Sequence, residues 1–460
     1  MRRLSQKQKY ILVGVFIIAI LLLIILDRRE HYSDIQFKIP PFGNDGGNGN
    51  NGNNGGNGGN GGNGNNGGNG GNGGFKDDFI LDFSKDGTNI DKLKKEFTTK
   101  SYSGITKDGK CSNNPKPWSG ELGEYDPTCG NVAYIDEFDD TTSSEKLISI
   151  EGKHLQLKLG KPTHRKTTDE ILSYLNQNTS DTNKNVFPSI RLTSTKSFKN
   201  DKQHVFVLKA KLPYGRSLWP AWWLTGTDSG DQSTLNTKWP TNGEIDIIEL
   251  VNEQNQFKNV LHMCKKCNSR WKKGLNDKWG KSKDCEGEFN SGCFEGTETP
   301  LKDPSGVFAC WWNPETKDAT IDDNKVTILG SIQFYYWEYD KGDFDGGPMS
   351  SNPNPTTWDK DMMAGVEYWK TNDGKTKGEG GSDDKTANCD KATCQFNDMK
   401  MIFNTTVCGD WAGNIFDPDD TGDNSVKKCL DYINTSDGST AIQKQKWDIS
   451  YIAAFSKSFG

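Results

Sequence analysis

The sequence predicts an all-β domain built as an antiparallel sandwich. Three observations carry this: period-two alternation in several segments, no long stretch at helical period in the globular part, and no strand–helix–strand rhythm. In residues 154–159, Leu155, Leu157 and Leu159 interleave with polar residues. Residues 189–194 set Ile190 and Leu192 against Arg191 and Thr193. In residues 204–212, Phe206, Leu208, Ala210 and Leu212 fall on one face. Near the end, Trp447, Ile449, Tyr451, Ala453 and Phe455 are expected to share another. Such patterning belongs to half-buried strands. Residues 91–97 are expected as a short helix. Residues 264–310 and 342–394, rich in Gly, Lys, Asp and Asn, interrupt the pattern and read as long loops that shape a site or are simply tolerated.

The 460-residue chain exceeds the roughly 250–300 residues at which a single core stops growing. Part of the excess is not globular. Residues 10–26 carry no charge and are rich in Ile and Leu. As a helix they cover roughly 25 Å, close to the thinner bilayers. Arg2, Arg3, Lys7 and Lys9 precede the run, whereas Asp27, Arg28, Arg29 and Glu30 cancel after it. The basic flank stays cytoplasmic, which gives a single-pass type II signal anchor with the bulk of the chain lumenal or extracellular. A cleaved signal peptide is the alternative, but the run is long for an apolar signal core and no small-x-small site follows. Residues 43–74 are Gly and Asn throughout except Asp45, a tract with no apolar surface to bury. The expected order is a cytoplasmic tail (1–9), a transmembrane helix (10–26), a flexible linker (27–78) and one domain (79–460).

Composition excludes two classes. With 32% hydrophobic and 11% aromatic residues the chain is not disordered, and a net charge of −6 argues against a nucleic-acid partner. Eleven cysteines fit an oxidising compartment, and the odd count leaves at least one outside any intrachain disulfide. Cys264-x-x-Cys267 has the form of half a zinc site, but the spacing of Cys285 and Cys293 is wrong for the other half, so disulfides are favoured. Sequons at Asn178, Asn404 and Asn434 are compatible with a secretory, glycosylated protein.

The chemistry-bearing stretch is Gly243-Glu-Ile-Asp-Ile-Ile-Glu-Leu250. Glu244 and Asp246 share one strand face, with Ile245 and Ile247 on the core side. Like charges on one face repel, and carboxylates near a core are costly, so such a strand points to function. Strict alternation buries Glu249. One extra residue near Ile247–Ile248, a β-bulge, returns it to the face of the other acids. Two carboxylates flanking a sugar bond are the minimum for glycoside hydrolysis. Read alone, the motif also fits a solvated edge or a calcium site.

The neighbouring residues sharpen this. Trp219-Pro-Ala-Trp-Trp-Leu224, Trp239-Pro-Thr-Asn-Gly-Glu-Ile-Asp-Ile-Ile-Glu249, Leu261-His262 and Asn404-Thr-Thr-Val-Cys-Gly-Asp-Trp-Ala-Gly413 occur in this order. Together they resemble glycoside hydrolase family 16, in particular its laminarinases and endo-1,3(4)-β-glucanases. The resemblance implies a β-jelly-roll sandwich of two curved antiparallel sheets with a cleft on the concave face. It implies Glu244 as nucleophile, Glu249 as general acid/base and Asp246 as the residue tuning them, in a retaining double displacement on β-1,3- or mixed β-1,3/1,4-glucan. Trp223, Trp239, Trp411 and His262 match cleft residues of the family. Trp219 and Arg191 are further candidates for lining the groove, and Trp222 alternates inward. No cofactor is required. Family members often carry a structural cation such as calcium, for which no ligand pattern is diagnostic here. The expected partners are β-glucan and, through residues 10–26, a lipid bilayer, with the protein a monomer. Transfer to a sugar acceptor, and a non-catalytic glucan-binding role in wall assembly, are the alternatives.

Overall fold

The alternating segments become strands, and strand pairing brings the acidic stretch onto a sheet face that the core does not cover. The computed structural model describes residues 74–99, 102–103, 124–125, 130–138, 145–162, 185–226, 243–263, 267–280, 283–284, 297–301, 303–370, 396–420 and 423–459. The expected anchor (10–26), nearly all of the Gly/Asn tract and Trp239 lie outside them. Among the described residues no helix is long and apolar enough to cross a membrane.

A seven-stranded sheet runs in the order Thr297–Pro300, Gln256–His262, Glu244–Glu249, Leu218–Gly226, Met399–Val407, Leu192–Ser194, Phe97–Thr99. An eleven-stranded sheet packs against it, with Ser305–Asn313, Lys202–Lys211 and Lys446–Ser458 adjacent near its middle. Among the described residues both sheets are antiparallel throughout their pairs, and parallel pairing occurs only in a small third sheet. Trp222, Leu224, Ile245, Ile247 and Ile248 of the first sheet meet Phe206, Leu208, Phe308, Trp312 and Trp447 of the second in one core. Each such side chain, fully buried, contributes about 1.5–3 kcal/mol. Trp222 is 0% exposed, on the inner face as its alternation predicts.

The last strand departs from its expected pattern. Lys209 pairs with Tyr451 but Ala210 pairs with Ile449, so Ser450 is an extra residue. Its bulge exchanges the faces: Trp447 and Ile449 point into the core with Ile452 and Ala454, while Tyr451, Ala453 and Phe455 point the other way. They join Val205, Val207, Val307, Ala309, Tyr335 and Trp337 in a second apolar layer on the outer face of the large sheet.

The two segments expected as loops contain much of this architecture. Cys267–Lys273, Ser305–Asn313 and Met362–Lys370 are all strands. The stretch that includes the short helical turns Pro355–Thr357 and Asp359–Asp361 covers the outer apolar layer with Trp358, whose Nε1 donates to the Gly346 carbonyl at 2.8 Å. The described part of the second segment therefore packs on the large sheet, away from the acidic strand.

The short helix is present at Ile90–Glu96, capped by Asn89 Oδ1, which accepts from the Lys92 N–H at 3.0 Å. Two unexpected helices, Asp423–Ile433 and Ser436–Gln443, follow the strand Met399–Val407. Their signal was present: Val426, Cys429, Leu430 and Ile433 recur at helical spacing, over only two turns.

Candidate active site

The acidic strand owes its geometry to one bulge. Ile248 pairs with Trp222 and Asp246 with Trp223, so Ile247 has no counterpart on that side. On the other side Asp246 faces Val260 and Glu249 faces Lys258, leaving Asn259 opposite both isoleucines. Both isoleucines enter the core. Glu244, Asp246 and Glu249 thus share the uncovered face, as the sequence pattern required. Asn259 holds the distortion: fully buried, it donates from Nδ2 to the Ile247 carbonyl at 2.6 Å. Sequence reasoning missed it, although an Asn between the inward residues Phe257 and Leu261 was a usable signal. Gly243 begins the strand at φ 78°, where a Cβ would lie 2.5 Å from the Phe396 ring.

The three acids differ in setting. The Glu244 side chain is 17% exposed and that of Asp246 only 4%. His262 stands directly across the ladder from Glu244, its Nε2 3.8 Å from Glu244 Oε1 and 3.4 Å from Asp246 Oδ2. The Asp246 and Glu244 carboxyls share a hydrogen bond. Glu249 is buried on the same face and accepts a 3.0 Å hydrogen bond from Trp219 Nε1. The Trp219 ring meets Trp411 edge-on at 5.4 Å, and the Lys258 ammonium lies 4.8 Å from the Trp411 ring. Trp223 is half-buried, its Nε1 donating to Asn404 Oδ1 at 2.8 Å. Asn404 Nδ2 donates onward to Tyr134 Oη at 3.0 Å. Arg191 is buried, its guanidinium 5.1 Å from the Trp223 ring. Asn404, Tyr134 and Lys258 were not singled out from sequence. Asn404 is 4% exposed in a strand, so its sequon is closed to glycosylation in the folded chain.

Burial dominates the electrostatics. It pushes the Asp246 carboxyl up to about 8, against a smaller opposing effect of the Glu244 hydrogen bond. Glu249 is also held well above the ordinary carboxyl range, first by burial and then by the charge of Asp246. Glu244 adds to that rise, so all three acids lie within mutual electrostatic reach. A buried acid with a raised pKa beside a more exposed carboxyl group is the pairing that acid–nucleophile chemistry uses.

Trp411 reaches the site through a sharp turn. Cys408 at φ 55° and Gly409 at φ 77° end the long strand and start the one-turn helix Gly409–Ala412. The Cys408–Cys429 disulfide ties that turn to the helix Asp423–Ile433. Cys267 is also disulfide-bonded, as favoured over zinc, and Cys310 is a buried free thiol.

A family model described as XgeA-like, catalytic GH16 domain, matches residues 122–306 and 334–455, well over half of the chain. A probable endo-1,3(4)-β-glucanase of Neosartorya fischeri is 28% identical over 250 residues, 52% of this chain and 30% of that protein. A probable glycosidase of Schizosaccharomyces pombe is 27% identical over 241 residues, 49% of this chain and 45% of that protein. The match thus spans less than half the length of these relatives. Among solved structures, laminarinase 16A of Phanerochaete chrysosporium, bound to two β-glucans, shares the fold with a TM-score of 0.51 at 22% identity, over 83% of this chain and 99% of that one.

Proposed function

The chain belongs to glycoside hydrolase family 16, and from that premise we propose that it is a retaining endo-β-glucanase. Its substrate is β-1,3- or mixed β-1,3/1,4-glucan. One observation carries the reading: the Ile247 bulge sets Glu249, buried and held well above the ordinary carboxyl range, on the same face as the more exposed Glu244. Glu244 attacks the anomeric carbon while Glu249 gives its proton to the departing glycosidic oxygen. A glycosyl ester on Glu244 results. Glu249, now a carboxylate, takes a proton from water, which attacks the ester and releases the sugar with its β configuration retained. Asp246, which shares a hydrogen bond with Glu244, tunes the charge of the nucleophile and of the carboxylate it becomes on leaving. Trp219, Trp223 and Trp411 offer indole faces and edges against which the apolar C–H faces of glucose rings pack. The named activities of the relatives agree with this reading, as does the fold shared with a glucan-bound laminarinase.

The test is a reducing-sugar assay of the full-length protein on laminarin, lichenan and a β-1,6-glucan, with Glu244→Gln alongside. The first two should be shortened and the third left intact. Glu244→Gln should lower turnover by roughly 10³-fold or more while retaining glucan. Full turnover in that variant sinks the assignment.

A further inference from the structure

We propose that Glu244, Asp246 and His262 also form a binding site for a borderline divalent cation of the Zn²⁺ type, which blocks the nucleophile when bound. The three side chains leave one face of two paired strands, with Glu244 and His262 directly opposed and Asp246 two residues beyond Glu244. Their donor atoms, two carboxylate oxygens and one imidazole nitrogen, all lie within 4.8 Å of one another. Neighbouring ligands of a tetrahedral zinc ion, at bond lengths of ~2.0–2.1 Å, sit roughly 3.3 Å apart. The His262 Nε2 separations of 3.4 Å to Asp246 and 3.8 Å to Glu244 are already near that spacing.

A second observation concerns Asp246 alone. Its Oδ2 is buried and accepts from no N–H among the described residues, in a residue 3% exposed whose carboxyl shares a hydrogen bond with that of Glu244. A buried carboxylate oxygen turned toward an imidazole, with no N–H donor, is what a metal ion would satisfy. The sheet fixes the three positions in advance, because the ligands stand on strands rather than on loops. Glu244 and His262 are partly exposed on the same side, which leaves a fourth coordination position for water. The ion displaces the proton that Asp246 holds, so that two carboxylates and an imidazole balance a dication. The mixed oxygen–nitrogen set of three favours Zn²⁺ over Mg²⁺, which demands octahedral oxygen coordination.

Cation binding stands on this geometry; its effect on turnover rests on the glucanase reading, since the ion would hold the oxygen with which Glu244 attacks. Calorimetric titration of the full-length protein with ZnCl₂ tests the site, with CoCl₂ as a spectroscopic probe. One saturable site per chain is expected, weakened roughly tenfold or more in His262→Gln and in Asp246→Asn. Circular dichroism checks that both variants fold. Independently of either variant, paramagnetic Co²⁺ should shift the imidazole resonances of a single histidine. Unchanged Zn²⁺ affinity in both folded variants, no saturable binding to the native chain, or a Co²⁺ complex that shifts no histidine overturns the proposal. Binding that depends on His262 and Asp246 in a protein that leaves glucan uncut would uphold the cation site and remove the glucanase reading.

Discussion

Asp246 is 3% exposed and hydrogen-bonded to Glu244, and its burial raises the charge cost of the whole acidic row. A buried acid with a raised pKa keeps a proton in the folded state that the unfolded chain releases. Stability from this source is complete at low pH. It is lost as pH climbs from the ordinary 3.8 through the folded value of about 8. Asp246→Asn removes the titration, so its melting temperature relative to the native chain should rise between about pH 5 and about pH 8, as scanning calorimetry at both values would record. Turnover should fall in the same variant. Glu249 works as an acid only while protonated, and its pKa is raised by burial and by Asp246. The descending limb of kcat/KM against pH should therefore lie well above the ordinary glutamate value of about 4.3. A limb at that ordinary value would contradict the role of burial.

At the scale of elements, the bulge and its clamp decide whether the acids face one way. Asn259 satisfies the carbonyl that the extra residue leaves without a ladder partner. Asn259→Ala leaves that buried carbonyl unpaired, at a cost of about 1–3 kcal/mol. Denaturant unfolding should show this loss, with slower glucan cleavage, because the Glu249 carboxyl is no longer held in line. Cys429→Ala opens a disulfide between residues 21 apart and should cost about 3 kcal/mol by the loop-entropy argument. It should also weaken glucan binding, since Trp411 stands on the turn that the disulfide anchors. The bulge at Ile247 was legible because three acids demanded one face and alternation denied it. The bulge at Ser450 was not, because Trp447, Ile449 and Tyr451 alternate with polar residues as if unbroken, and residues 451–455, buried on both sides, form a continuous apolar run without a register signal. The strands Ser305–Asn313 and Met362–Lys370 escaped notice for the same reason, set as they are among Gly- and Lys-rich stretches. The inward position of Asn259 was readable from its strand, but its partner was not, because a backbone carbonyl carries no sequence identity.

At the scale of the molecule, apolar clusters of the described residues lie on both faces of the large sheet and on one face of the acidic sheet. The face bearing Glu244, Trp223 and Trp411 is the one proposed for a ligand, whereas Met349, Trp358 and Met362 of the second segment pack on the far side of the large sheet. The class of fold and the acidic row followed from period-two patterning; the distribution of cover did not, because pattern reports burial without saying which layer provides it. We propose in addition that residues 10–26 hold the chain in a membrane with the β-domain lumenal or extracellular. Carbonate washing of membranes from expressing cells should then leave the full-length protein in the pellet, and release of the intact chain would contradict the anchor. The central claim is that two glutamates on one bulged strand act as a pair, with Glu244 making the covalent bond. The most direct measurement is peptide mass mapping after incubation with a 2-deoxy-2-fluoro laminaribioside carrying a good leaving group, which slows hydrolysis of the glycosyl ester. One sugar on Glu244 is the result expected; a label on any other residue, or none from a protein that still cleaves laminarin, would contradict the account.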